Sequence, residues 1–168
     1  MNTDKRGISR IILVLLALAT VLAPGASAIP PDEHAPRFYA TTMDGEKYSN
    51  ESIKGKVVLL QFWATWCKFC RGDQPVVDAL AREFSDRGLV VLAVDMGESK
   101  KTVKKYLADM PRACKVILMQ DTNLAAMYAA KSYPLYVLID RDGNVAGKQN
   151  GAGGERALRS LLRKAGLE

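Results

Sequence analysis

The sequence predicts an α/β domain, a central mixed sheet flanked by helices. Val57 to Trp63 is a nearly continuous apolar run, the pattern of a strand buried on both faces. Behind it, Val76, Val77, Leu80 and Phe84 recur at helical spacing, and Leu89 to Met96 forms a second buried strand. Strand, helix and strand imply a right-handed crossover between parallel neighbours. Leu135 to Asp140 then turns at Asp142-Gly143 into Val145 to Gln149, an antiparallel pair that precedes a closing helix, Glu155 to Leu167.

The other elements follow in chain order. Residues 1–28 have the build of an export signal: Lys5, Arg6 and Arg10 give a basic start, Ile11 to Ala23 is apolar, and Ala26-Ser27-Ala28 offers small residues for cleavage. The apolar stretch is shorter than the ~20 residues a helix needs to cross a bilayer, so cleavage after Ala28 is expected, with an uncleaved membrane anchor as the alternative. Residues 29–36 form a leader containing Pro30, Pro31 and Pro36, and residues 37–168 form one domain. Phe38 to Tyr48, centred on Asp44-Gly45, reads as an added N-terminal β-hairpin. Lys54-Gly55-Lys56 turns the chain into the central strand. Pro75 lies inside the first helix and is expected to kink it before Arg87-Gly88 ends it. Ser99 is placed to cap the helix of Val103, Tyr106 and Leu107, which stops before Pro111. Lys115 to Met119 reads as a short strand or extended segment, and Asn123 to Lys131 as a short helix.

The domain is long enough to bury a core without a disulfide, so its thiols are free for chemistry. The net charge is +6; without residues 1–28, which hold three basic residues and one acidic, it is +4, and this excess is spread along the chain. Lys100, Lys101, Lys104 and Lys105 cluster on the polar side of one helix, a solvated face rather than a nucleic-acid patch.

Cys67-Lys68-Phe69-Cys70 stands where the central strand gives way to the first helix. Two intervening residues allow the sulfurs to close a small ring, and unpaired N–H groups at a helix N-terminus favour a thiolate. The same spacing is half of a zinc site, but the chain offers only Cys114 and His34 as further soft ligands. Haem attachment needs His after the second Cys, where Arg71 stands. The pair therefore reads as a redox dithiol, with a purely structural disulfide as the alternative.

Phe62-Trp63-Ala64-Thr65-Trp66-Cys67-Lys68-Phe69-Cys70 is similar to the F-W-A-x-W-C-x-x-C signature, and the order of elements over residues 36–168 resembles the thioredoxin fold. Asp95-Met96-Gly97-Glu98-Ser99 and the segment from Pro134 to Gly143 look like the exported TlpA/ResA-type branch of that family. In that branch an insertion lengthens the segment before the strand that carries a cis-proline. The resemblance implies an exported, periplasmic thiol-disulfide oxidoreductase, working as a reductant of protein disulfides, with apocytochrome c among the candidate partners and a membrane electron donor. A monomer is expected, with no nucleic-acid partner, no metal and no cofactor beyond the Cys67–Cys70 disulfide. A disulfide oxidase or isomerase, and further off a peroxiredoxin-like peroxidase, are the alternatives. A peroxidatic Pro-x-x-x-Thr/Ser-x-x-Cys setting is missing from Trp63-Ala64-Thr65-Trp66, and a copper chaperone would want a wider cysteine pair and a later His.

By match of position the resemblance makes Cys67 the nucleophile, the sulfur expected to be more exposed, and Cys70 the resolving thiol. Lys68 and Arg71 bring positive charge beside the pair. Gln61 occupies the place where thioredoxins carry a buried, titrating Asp, so proton handling must differ, and Asp73, three residues past Cys70, is the candidate. Complementing the helix N-terminus is the other role open to Asp73. Pro134 matches the cis-proline, with Tyr133 before it. Trp66, Lys68, Phe69, Tyr133 and Pro134 make up the expected substrate-binding surface, while Trp63 packs the floor. Cys114 is read as a buried, inert thiol or an intermolecular one.

Overall fold

The computed structural model describes residues 33–168, so the expected export signal and the first leader residues lie outside the described residues. Seven strands form one sheet: β1 (Tyr39–Thr42), β2 (Lys47–Ser49), β3 (Val57–Trp63), β4 (Leu89–Asp95), β5 (Lys115–Thr122), β6 (Leu135–Ile139) and β7 (Val145–Asn150). Their spatial order is β2-β1-β5-β4-β3-β6-β7. β3, β4 and β5 run parallel, β6 pairs antiparallel with β3 and β7 antiparallel with β6, and β1 pairs antiparallel with β5. The helices are α1 (Lys68–Glu83), α2 (Lys100–Asp109), α3 (Leu124–Met127) and α4 (Gly154–Arg163), with a short 3₁₀ turn at Ser85–Arg87. Among the described residues no helix is long and apolar enough to cross a membrane.

All seven residues of β3 are buried, as an unbroken apolar strand at the centre of a two-faced sheet should be. Val58, Leu60 and Phe62 face a layer made by α3 and the segment before β3, packing with Leu124, Tyr128 and Phe38. Val57 and Leu59 point the other way onto Val77 and Leu80 of α1 and Leu158 and Leu162 of α4. Trp63 continues that face, and with Val103 of α2 it packs around both Cys67 and Cys70. The nucleophilic end of β3 is thus held between two helices.

Several boundaries differ from the sequence reading. α1 runs as one helix through Pro75, which lies on the exposed face where the carbonyl left unpaired is open to water. β5 continues past Met119 to Thr122 because β1 pairs along it, through a register shift between Ala40 and Thr42. α3 is a single turn. Asn123 spends its side chain on the Tyr39 N–H and the Arg37 carbonyl instead of capping it. α4 ends at Arg163, short of Leu167. The end of the leader is pinned to the β6–β7 turn, where Ala35 N–H donates to the Gly143 carbonyl and Val145 N–H to that of Glu33.

Candidate active site

Cys67 is the N-cap of α1, and its Sγ accepts the Cys70 N–H at 3.1 Å. A cap is normally an oxygen acceptor. Here the sulfur takes that place, so an orphan backbone donor is aimed at the atom that must carry negative charge as a thiolate. Cys67 and Cys70 form a disulfide with Cα atoms 5.3 Å apart. Both residues are buried, Cys67 5 % and Cys70 2 % exposed, so the expected difference in exposure is present but small.

The rim is apolar and open. Trp66, just before Cys67, is 65 % exposed and Phe69, between the two cysteines, 67 %, and Lys68 and Arg71 are exposed as well. The Tyr133–Pro134 bond is cis. Tyr133 packs against the cluster that contains both cysteines and meets Trp66 edge to face, ring centroids 6.2 Å apart. The structure thereby brings Trp66, Lys68, Phe69 and Tyr133 to one rim around Cys67, with Pro134 buried next to Tyr133.

Asp73 lies one turn beyond Cys70 and is buried. Its Oδ2 accepts the Tyr136 hydroxyl at 3.0 Å and the Gly153 N–H at 3.3 Å, and its Oδ1 accepts the Gly154 N–H at 3.2 Å. These partners fasten α1 to β6 and to the turn that opens α4. Tyr136 also accepts from Gln61 Nε2 at 3.2 Å, and Gln61 Oε1 accepts from Arg112 Nη2 at 2.8 Å. Burial, reinforced by the Asp73 carboxylate, pushes the Tyr136 phenol far up, so it acts as a donor throughout the working pH range. Arg112 completes the chain with an ion pair to Asp78, Nε to Oδ1 3.1 Å, and stacks its guanidinium 5.1 Å above Trp63.

A second carboxylate pair touches the loop between β3 and Cys67. Glu98 accepts from the Thr65 N–H and the Thr65 hydroxyl, both at 2.6 Å. Asp95 Oδ1 accepts the Glu98 N–H at 2.9 Å, and Met96 N–H donates to the Trp63 carbonyl at 2.9 Å. Asp95 and Glu98 stand in the motif noted in the sequence, but nothing in their spacing assigns them a task. Arg112, directly after Pro111, carries no signal in the sequence, and only the fold reveals its side chain as buried. Cys114 is half-buried against the same hydrophobic cluster that holds Cys67 and Cys70, and burial pushes its thiol up to about 11.

Comparison with known proteins gives the same picture. The AhpC/TSA family matches residues 31–148. The chain is 31 % identical to "Thiol-disulfide oxidoreductase ResA" of Bacillus cereus, over 79 % of this chain and 76 % of that protein. It is 34 % identical to "Thioredoxin-like protein YneN" of Bacillus subtilis, over 83 % and 86 %. Among solved structures it resembles a thiol:disulfide interchange protein of the thioredoxin family from Chlorobium tepidum, with a TM-score of 0.72 and 26 % identity, covering 82 % of this chain and 99 % of that one.

Proposed function

The chain belongs to the AhpC/TSA family and is a thiol-disulfide oxidoreductase of the ResA type, and from that premise we propose that it reduces disulfides in proteins outside the cytoplasm. The observation that carries the reading is the Cys67 sulfur in the cap position of α1, facing the Cys70 N–H and ringed by the exposed Trp66 and Phe69.

In the proposed cycle the Cys67 thiolate attacks one sulfur of a partner disulfide. A mixed disulfide forms and the other partner sulfur leaves as a thiolate. Cys70 then gives up its proton and attacks Cys67 Sγ, which closes the Cys67–Cys70 bond and frees the second partner sulfur. Two electrons pass to the partner, and its two thiolates take up protons from water or from the site. A membrane-bound dithiol donor then reopens the disulfide. Trp66, Phe69 and Tyr133 supply the docking surface, Pro134 places its backbone, and Lys68 and Arg71 favour the thiolate.

For Asp73 the proposal is anchoring, since three donors already occupy its oxygens. Asp73→Asn should lower the unfolding midpoint and leave the pH profile of exchange in place; a displaced profile would assign it to proton transfer instead. Residues 1–28 act as the export signal in this reading, with release into the bacterial periplasm and the apocytochrome c disulfide as substrate, its two thiols being the product. The test is a trap: Cys70→Ala, expressed with its signal, should accumulate mixed disulfides through Cys67 that a reductant releases. A folded Cys70→Ala protein that traps nothing in periplasmic extract would overturn the proposal.

A further inference from the structure

The loop that delivers Cys67 is held from outside the dithiol by a pair of carboxyl groups. Glu98 binds Thr65 through both oxygens, each at 2.6 Å, one to the backbone N–H and one to the hydroxyl. Thr65 lies two residues before Cys67, and the Cys67 N–H closes the same turn on the Ala64 carbonyl at 3.1 Å. Two acceptor oxygens facing two donors is the arrangement an ionised carboxylate satisfies best.

Asp95 stands behind Glu98 at the end of β4 and is fully buried. Its Oδ1 takes the Glu98 N–H, while its Oδ2 is buried with no hydrogen-bond partner. Across the sheet Asp95 lies opposite Trp63 on β3 and Leu118 on β5, neither of which titrates in the working range. On the chain that follows, Glu98 is the charged group acting on Asp95, and Lys100 and Lys101 at the start of α2 are exposed. A second negative charge at this position would be both buried and unpaired on one oxygen, which is costly. One proton shared by two carboxyls resolves the conflict.

We infer that Glu98 is a positioning residue for thiol exchange, gripping the loop from Thr65 to Cys67 in its ionised form, and that a proton carried by Asp95 keeps Glu98 in that form. The directions of titration agree. Burial first, and the Glu98 carboxyl next, raise Asp95 to about 7. For Glu98 burial works upward, but the bonds from Thr65 and Asp95 outweigh it and hold the group below its ordinary value. Below neutral pH the pair carries one proton and the grip is firm. Above it Asp95 ionises, the adjacent charges repel, and the hold on Thr65 slackens. The inference rests on the exchange reaction proposed above, but it is read on Cys67 alone, without any partner.

The experiment measures the rate of iodoacetamide alkylation at Cys67, read by mass spectrometry on the reduced protein from roughly pH 5 to 9. Wild type should show the titration of Cys67 and a second inflection near neutral pH. Asp95→Asn, which keeps an acceptor for the Glu98 N–H, should erase that inflection. Glu98→Gln and Thr65→Val should each change the rate at neutral pH about tenfold, and the double variant little more than either single, because both act on the bond between the Glu98 carboxylate and the Thr65 hydroxyl. Thr65→Val conserves size and decides the matter if Glu98→Gln fails to fold. An Asp95→Asn profile superimposable on wild type, or additive effects of the two loop substitutions, overturns the inference. A Cys67 that is unreactive in every variant overturns the exchange reaction itself.

Discussion

Replacing Arg112 with methionine removes a buried cation from between α1 and β3. The Arg112 and Asp78 side chains are only 1 % and 8 % exposed, so water does little to soften the loss. Stripping one partner from a buried pair costs about 3–5 kcal/mol, because the other charge stays behind unpaired. Gln61 Oε1 also loses the donor now 2.8 Å away, and an orphaned buried acceptor adds roughly 1–3 kcal/mol. Two features offset this: the Ala113 N–H still reaches Asp78 Oδ1 at 3.1 Å, and methionine refills much of the space above Trp63. The expected net loss is about 4 kcal/mol, a large share of the ~5–15 kcal/mol that holds such a domain together. Urea denaturation followed by far-UV circular dichroism measures it. Arg112→Met combined with Asp78→Leu should recover more than half of the loss, since the stranded charge leaves with its partner. A single-variant loss below about 1 kcal/mol, the value of a solvated pair, would refute the reasoning, as would a double variant no more stable than the single.

Three further outcomes are expected. Trp66→Ala and Phe69→Ala should each leave the unfolding midpoint nearly unchanged, since both rings are mostly in water, while slowing reduction of a protein disulfide and sparing that of a small aromatic disulfide; equal slowing of both substrates would argue against a docking role. Asp95 binds its proton in the folded chain up to about 7, whereas an unfolded Asp releases it near the ordinary value of 3.8, so its contribution to stability declines as pH rises through that window and stays lower above it. Asp95→Asn should therefore raise the midpoint at alkaline pH relative to wild type and not at acid pH; an alkaline midpoint below wild type would contradict this. Cys114, with its thiol raised to about 11, should resist alkylation in the native protein at neutral pH and react once urea unfolds the chain, with rapid native labelling as the contrary result.

β3 and the dithiol were readable from the chain because each carries its signal locally: an apolar run, then two cysteines at the start of a helical period. The sequence alone ends β5 at Met119 because Gln120 and Asp121 are polar, and only pairing with β1 reveals them as strand. The sequence suggests a longer α3 because Asn123 looks like a cap, yet its side chain is claimed by chain 84 and 86 positions away. The same holds for the site. Trp66, Lys68 and Phe69 adjoin the cysteines in sequence, and Tyr133 and Pro134 came from a family resemblance. The chain from Asp73 through Tyr136, Gln61 and Arg112 to Asp78 joins residues up to 75 positions apart, and no local pattern announces it.

The N-terminal ribbon also decides how the molecule behaves among its own copies. Without it, the eight-residue β5 would form the rim of the sheet, a long row of unsatisfied amides able to template stacking by a neighbour. With β1 laid along it, that rim becomes the three residues of β2, opened by the exposed Lys47, too short and too charged to recruit another strand. A decoration far from the chemistry in sequence thus removes one of the two sheet edges, the other being β7, as a template for a neighbouring strand.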